Sequence, residues 1–410
     1  MSLALSLYRG LVDSVVGLAI APFCHDHRTE RLGRAPVPTK GAPRIVLHAV
    51  SVGEMAAASA LVAELRGSFR FVLTTGNAAG RAAAERLRRR FRQVEHVCYL
   101  PWDTREGVTR FLEAARPDAV VVVETELWPN LFHLCRERQT PLLVASGRLY
   151  PRDVARYRAA RFLFRDVLAS VSWIGAQTEA ERAAFLAIGA PPERITVTGN
   201  LKLDAPAPQA LDGAWERSLR SAGPIVVAGS THAPEEELIL AAFRALRKEH
   251  PLARLVLAPR HVERSATISP GAARFSEGPT AGWDVLVIDQ LGVLASLYRH
   301  ADVAVIGGSF AAKGGQSPLE AAAAGCPGIV GPDVSHVESL VDGLAEAGGL
   351  ERLADGAALL PALRRLLAEP AERARMGAAA RAFVAAHRGA ARATGDAVRA
   401  LVDRGASPSS

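Results

Sequence analysis

Asp118-Ala119-Val120-Val121-Val122-Val123, followed at once by Glu124-Thr125-Glu126-Leu127-Trp128-Pro129-Asn130, is the stretch that decides the fold. A β-branched run without polar alternation reads as a strand covered on both faces, the mark of a parallel sheet. The two carboxylates after it, before a helix over Leu127–Arg138, stand where such sheets bind ligands. Working outward, the same rhythm repeats. Upstream lie strand Ile45–Val50, a helix near Glu54–Leu65, strand Phe69–Thr74 and helix Ala78–Arg90; downstream lies strand Pro141–Ala145. This alternation predicts a doubly wound α/β sheet. Leu201–Gly223, with Pro206, Pro208 and Gly213, breaks the rhythm and reads as a linker. Beyond it the pattern restarts with strands Pro224–Ala228, Leu252–Ala258, Asp284–Ile288 and Asp302–Ile306, and Pro361–Arg404 reads as Ala/Arg-rich helix. The expectation is two α/β halves with a ligand cleft at the carboxyl ends of two sheets.

Composition sets the outer limits. A chain of 410 residues, 49% hydrophobic, is globular and large enough for two domains or three. The net charge of +7, mostly from arginine, suits an anionic partner. No zinc-finger spacing or aromatic-basic consensus points to nucleic acid. Cys24, Cys98, Cys135 and Cys326 are scattered and read as free thiols in a reducing compartment. Leu3–Phe23 is apolar apart from a few polar residues, chiefly Arg9 and Asp13, whose i,i+4 spacing allows a pair on one helix face. Its length is about the 20 residues of a spanning helix. Ala19-Ile20-Ala21 mimics a signal cleavage site, but Pro22 follows it and no charge precedes Arg9. The reading is an uncleaved anchor, spanning or interfacial. His25, His27, Arg28, Arg31 and Arg34 follow it and place the body on the cytoplasmic side. Arg86–Arg92 and Arg148–Arg165 are arginine-rich; each is a solvated helix face or a contact for anionic lipid.

The chemistry-bearing segments fall at strand ends. His48-Ala49-Val50-Ser51-Val52-Gly53-Glu54 follows one strand and opens a helix, with Ser51 as its cap and Gly53 easing the turn. Glu54 is either a base for an acceptor hydroxyl or a first-turn carboxylate that favours the helix dipole. Glu124 and Glu126 either bind an acceptor or cap the next helix. Gly307-Gly308-Ser309-Phe310 and Gly314-Gly315-Gln316-Ser317-Pro318-Leu319-Glu320 read as a phosphate loop, the glycines admitting an anion to backbone N–H groups and Glu320 reaching ribose hydroxyls. The segment fits neither a Walker A loop nor GxGxxG, and Ala311 breaks GxSxG. Gly229-Ser230-Thr231-His232 and Pro259-Arg260-His261 suit the same ligand or are structural turns; an Arg there can fork onto a phosphate or carboxylate. Cys24-His25-Asp26-His27 only superficially resembles a metal cluster, and neither HExxH nor DxD occurs.

Together these motifs resemble the 3-deoxy-D-manno-octulosonic acid (Kdo) transferases of lipopolysaccharide synthesis, from about Arg28 to Ala386. The carriers are His48–Glu54, Tyr99–Asp103, Glu124–Asn130, Val197–Asp204, Gly229–His232, Ala258–His261 and Gly307–Glu320. The resemblance implies a GT-B fold of two Rossmann-like domains facing across a cleft. Its expected divisions are an anchor helix over 1–27, an acceptor domain over 28–205, a nucleotide-sugar domain over 206–386 and a C-terminal helix over 387–410. It implies inverting transfer of Kdo from CMP-Kdo, a substrate, to a lipid A precursor at the cytoplasmic face of the inner membrane; the absence of HExxH and DxD is what points to transfer without a metal. Carried over, the base is Glu54. Acceptor binding falls to Ser51, Gly53, Glu124, Glu126 and Arg148. Donor binding falls to Ser230, Arg260, Gly307, Gly308, Ser309, Gly314, Gly315, Ser317 and Glu320. The sequence departs from the family at Thr74–Gly80, a Thr-rich turn there, at Ser317, an Asn there, and at Ser335–Val337, where an Asn-Phe pair is missing. A divergent GT-B transferase using another sugar nucleotide, or a non-catalytic paralogue binding lipid or a partner, are the alternatives.

Overall fold

The computed structural model describes residues 3–16, 27–39, 41–149, 151–206, 210–220, 223–279 and 282–406. The chain divides into two units, Met1–Pro206 with Arg388–Ser410, and Ala207–His387.

The first unit is built on seven strands: β1 (Arg44–His48), β2 (Arg70–Thr75), β3 (Val94–Tyr99), β4 (Ala119–Val123), β5 (Leu142–Gly147), β6 (Trp173–Ala176) and β7 (Ile195–Val197). They pair in parallel in the order β3-β2-β1-β4-β5-β6-β7. The Val120–Val123 run is continuous because both faces are covered. Val120 and Val122 join one apolar cluster with Phe111 and Phe132, and Val121 and Val123 join another with Met55 and Leu61. The order reverses between β1 and β4, which makes their carboxyl ends the switch point where such sheets bind ligands.

The last helix, Ala390–Ala406, belongs to this unit. Ala390, Ala391 and Val398 share a cluster with the helix Val52–Glu64. Asp204 takes the N–H of Ala391 at 2.8 Å, and Arg388 donates to the Leu203 carbonyl at 2.9 Å. Helical pattern alone does not say where a helix docks, so the segment expected as a separate piece completes the first unit's core instead.

The N-terminal helix spans Leu3–Val15. At 1.5 Å per residue it is about 20 Å long, against roughly 30 Å of bilayer hydrocarbon. No described helix is long and apolar enough to cross a membrane. The rest of the expected anchor, with Cys24, His25 and Asp26, lies outside the described residues. Arg9, expected as a candidate partner of Asp13, is buried, and its Nε donates to Asn130 Oδ1 at 2.7 Å. Tyr8 donates to Asp103 Oδ2 at 2.9 Å.

The second unit repeats the plan with β8 (Ile225–Thr231), β9 (Arg254–Pro259), β10 (Ala273–Arg274), β11 (Val285–Val287), β12 (Val303–Ile306), β13 (Gly328–Val330) and β14 (Leu350–Arg352). The order is β10-β11-β9-β8-β12-β13-β14, so its switch point lies between β8 and β12. The expected linker is not all linker: Gly213–Arg220 is a helix. Asp212 Oδ1 caps it by accepting from Ala214 and Trp215 at 2.9 Å, and Trp215 and Leu219 bury one face. Trp215 stacks on Phe275 at 4.5 Å between centroids.

Candidate functional site

At the first switch point, the turn after β1 leads into the helix Val52–Glu64. Ser51 is its N-cap: its Oγ accepts from Glu54 N at 3.2 Å and donates to Glu54 Oε1 at 3.0 Å. Glu54 Oε2 accepts from Val50 N at 2.7 Å. The pair thus forms a variant of the capping box, the side chain reaching one residue beyond the cap. Burial pushes the Glu54 carboxyl above the usual carboxylate range, the Val50 N–H holds it down, and the charges of Glu124 and Glu126 act upward again. Gly53 is ordinary helix rather than a left-handed turn. A methyl there would lie 3.7 Å from Lys202 Nζ, an ordinary van der Waals contact that the site can accept. Gly80, in the Thr74–Gly80 segment, is held to glycine more strictly, because a Cβ would stand 2.1 Å from the Val50 carbonyl oxygen. Thr75 Oγ1 donates to that same oxygen at 2.9 Å.

The turn after β4 supplies two more carboxylates. Glu124 has φ of 61°, a strained value for a residue with a Cβ. Its Oε1 accepts from Lys202 Nζ at 2.6 Å. Glu126 Oε2 accepts from Trp128 Nε1 at 2.9 Å. Neither caps the next helix, Pro129–Glu137. That task falls to Asp103, which accepts from Asn130 N at 2.8 Å and Leu131 N at 2.9 Å. Burial pushes the Asp103 carboxyl up to about 7, against those hydrogen bonds. Arg148 adjoins this turn, its carbonyl accepting from Thr125 Oγ1.

Lys202 is the residue that sequence reasoning missed, appearing only inside the Val197–Asp204 motif. Asn200 Oδ1 accepts from Lys202 N at 2.9 Å, and Ser146 Oγ, after a backbone φ of 55°, accepts from Leu201 N at 3.2 Å. These ties from the ends of β5 and β7 aim the amine at Glu124 and the start of the Val52–Glu64 helix. Ser51, Gly53, Glu54, Glu124 and Lys202 are therefore one assembly, with Glu126 near enough for its charge to act on Glu54.

At the second switch point the glycine loop differs from its sequence reading. Gly308 N donates to Glu235 Oε1 at 2.6 Å, Phe310 N to Glu235 Oε2 at 3.1 Å, and Gly314 N to Asp333 Oδ2 at 2.7 Å. Gly315 N donates to the Gly308 carbonyl at 3.2 Å. Ser309 is fully buried, its hydroxyl donating to the Ile306 carbonyl at 2.6 Å and accepting from Gly331 N at 2.8 Å. These groups are committed within the protein, so the loop does not offer them to a phosphate. Glycine is needed for close packing: at Gly307 a Cβ would meet the Ser230 carbonyl oxygen at 2.4 Å. Glu235 is the second missed residue. Burial raises its carboxyl, while the N–H groups of Gly308, His232 and Phe310 pull it down.

What this end of the unit does present is positive charge. His232 lies between Gln316, at 3.4 Å from Nε2 to Nε2, and His261, at 5.7 Å between rings. Burial first, then His261, Arg260 and Lys313, disfavours its protonation, which marks an electropositive corner. Ser317 and Glu320 are exposed at the start of the helix Leu319–Ala324. Ser335–Val337 packs on the glycine loop, His336 N donating to the Gly314 carbonyl at 2.8 Å. No group of three His, Cys, Asp or Glu residues is placed to hold a metal ion among the described residues.

Comparison with known proteins adds three findings. Residues 26–205 match the family model described as 3-Deoxy-D-manno-octulosonic-acid transferase (kdotransferase). A 3-deoxy-D-manno-octulosonic acid transferase of Bordetella pertussis is 36% identical over 388 residues, covering 89% of this chain and 88% of the relative, and that of Haemophilus influenzae is 32% identical over 377 residues, covering 88% and 87%. Among solved structures, a putative UDP-N-acetylglucosamine 2-epimerase from Listeria monocytogenes superposes with a TM-score of 0.61 at 16% identity, over 89% of this chain and 98% of that one, and shows the fold to be GT-B-like.

Proposed function

The chain belongs to the Kdo transferase family of glycosyltransferases, and from that premise we propose that it moves Kdo from CMP-Kdo to a lipid A precursor, with inversion and with Glu54 as the base. The observation that carries this reading is Glu54 itself. Its carboxyl is raised by burial and neighbouring charge, yet it is held in place by Val50 and Ser51 at a sheet switch point. A base raised toward the working pH takes a proton efficiently.

In this scheme the first unit binds the acceptor through Ser51, Gly53, Glu124, Glu126 and Arg148. Glu54 takes the proton of an acceptor hydroxyl. The freed oxygen forms a bond to the anomeric carbon of Kdo, and the bond from that carbon to the CMP phosphate breaks. Lys202 balances Glu124, so that Glu54 is not surrounded by acid alone. The second unit binds the donor. Because the N–H groups of Gly308, Phe310 and Gly314 are committed, the charge of the leaving CMP falls to Arg260 and Lys313, and neutral His232 offers a ring N–H. Ser230 and Ser317 supply hydroxyls, Glu320 takes the ribose, and Gly307, Gly308, Gly314 and Gly315 let the chain pack closely.

Membrane attachment is monotopic in the same proposal. Leu7 and Leu11 are 65% exposed and Val15 is 43% exposed, at i, i+4 and i+8 on the N-terminal helix. This stripe suits the headgroup boundary of anionic lipid. The test of substrate is incubation with CMP-Kdo and a tetra-acylated lipid A precursor, read by mass spectrometry. Addition of Kdo supports the reading. Thermal stabilisation by UDP but not by CMP, with no product, would replace the donor.

A further inference from the structure

His48 ends β1 and is fully buried. Strand alternation puts it on the same sheet face as Val46, and across the sheet it is level with Thr74 of β2 and Val122 of β4. An imidazole takes a place there that an apolar side chain would otherwise fill, so its ring nitrogens need partners. Nδ1 lies 3.0 Å from Thr74 Oγ1. Nε2 has no hydrogen-bond partner among the described residues and lies 3.8 Å from Glu126 Oε2. A carboxylate on that side favours the tautomer with the proton on Nε2, and Nδ1 then accepts from the Thr74 hydroxyl. Trp128 Nε1 already donates to the same Oε2 at 2.9 Å. Two donors therefore converge on one oxygen of Glu126. No described residue donates a hydrogen bond to Oε1 in this structure.

We propose that His48 is a positioning residue that draws Glu126 Oε2 toward Nε2–H, so that Oε1 is presented to a hydroxyl of the sugar acceptor. This rests on the reading of the first unit as the acceptor-binding one. A carboxylate fixed from behind loses less freedom when it accepts that hydroxyl than one on an untied turn. The contact is longer than a hydrogen bond without acceptor and closes when acceptor binds.

The test compares His48→Asn, whose amide replaces Nδ1 alone, His48→Gln, whose amide reaches the place of Nε2, Glu126→Gln, and the double variant His48→Asn/Glu126→Gln. Glu126→Gln raises the acceptor KM about tenfold, because its carbonyl oxygen is taken by His48 and Trp128 and the NH2 left at the place of Oε1 cannot accept from the sugar hydroxyl. His48→Asn raises it roughly fivefold and His48→Gln no more than about twofold, while kcat and the donor KM hold. The double variant is no worse than Glu126→Gln alone. Equal KM changes in His48→Asn and His48→Gln, multiplication of the effects in the double variant, or an unchanged KM overturns the proposal. A ring-nitrogen NMR spectrum of wild type decides the pairing without turnover: protonated Nε2 with bare Nδ1, perturbed by Glu126→Gln, supports it, and a proton on Nδ1 overturns it. If wild type makes no product, the Kdo reading fails, and the spectrum still decides the His48–Glu126 pairing.

Discussion

The turns after β1 and β4 and the turns after β8, β9 and β12 lie at the carboxyl ends of two sheets of like topology, yet they carry opposite charge. In the first unit the carboxylates of Glu54 and Glu126 are partly exposed at the sheet's end, and Glu124 is answered by one lysine. In the second, the carboxylate of Glu235 is turned inward to tie down backbone N–H groups, and Arg260 and Lys313 are left outside. The lesson is that a switch point fixes where a ligand binds, while the turn residues decide what is bound. A carboxylate with raised proton affinity, as at Glu54, suits a hydroxyl that must lose a proton; a cationic corner suits a nucleotide phosphate.

The comparison can be broken most severely at Glu235. Glu235→Leu strands the N–H groups of Gly308, Phe310 and His232, at about 1–3 kcal/mol for each unsatisfied group. The expected outcome is a urea midpoint lowered in proportion to a loss of roughly 3 kcal/mol or more, with CMP binding abolished. An unchanged midpoint and intact CMP binding would show that the carboxylate does not hold the loop.

Lys202→Met attacks the other side. Turnover is expected to fall roughly a hundredfold. Glu124 is then uncompensated, and with Glu126 it raises the Glu54 pKa further. With Glu54 as the proposed base, only its ionised form is active, so the acid limb of the kcat/KM profile moves to higher pH. A limb that stays in place removes Lys202 from the account. Arg260→Ala comes next: CMP binding weakens about tenfold, and the acceptor KM is untouched. The smallest effect is at Gly53. Gly53→Ala stays within about twofold of wild-type kcat/KM, because the methyl meets Lys202 only at van der Waals distance. Gly80→Ala, driven into the Val50 carbonyl, loses activity by far more than that.

Much of this arrangement was legible in the sequence, and the rest was hidden for physical reasons. The Val120–Val123 run declares a strand buried on both faces, and Ser51-Val52-Gly53-Glu54 declares a cap. These are local patterns, and the structure keeps them. Lys202 could not be seen as Glu124's partner, since 78 positions separate them and only the sheet order brings them together. Glu235 stands with Glu236 and Glu237 in a helix's first turn, the usual place for acid, so its type and position single it out for nothing else. Its reach to Gly308 depends on β8 lying beside β12. The Gly307–Gly315 loop was read as open because glycine signals close approach without naming what approaches. The helix inside the presumed linker was hidden behind Pro206, Pro208 and Gly213, and only the structure shows Asp212 capping it.

The central claim is a division of labour: proton removal at the first switch point, nucleotide binding at the second. Its most direct test is Glu54→Gln, assayed with CMP-Kdo and lipid A precursor while CMP affinity is measured on the same preparation. The account predicts turnover lowered by about a thousandfold with CMP affinity unchanged. Turnover close to wild type, or loss of CMP binding together with activity, would contradict it.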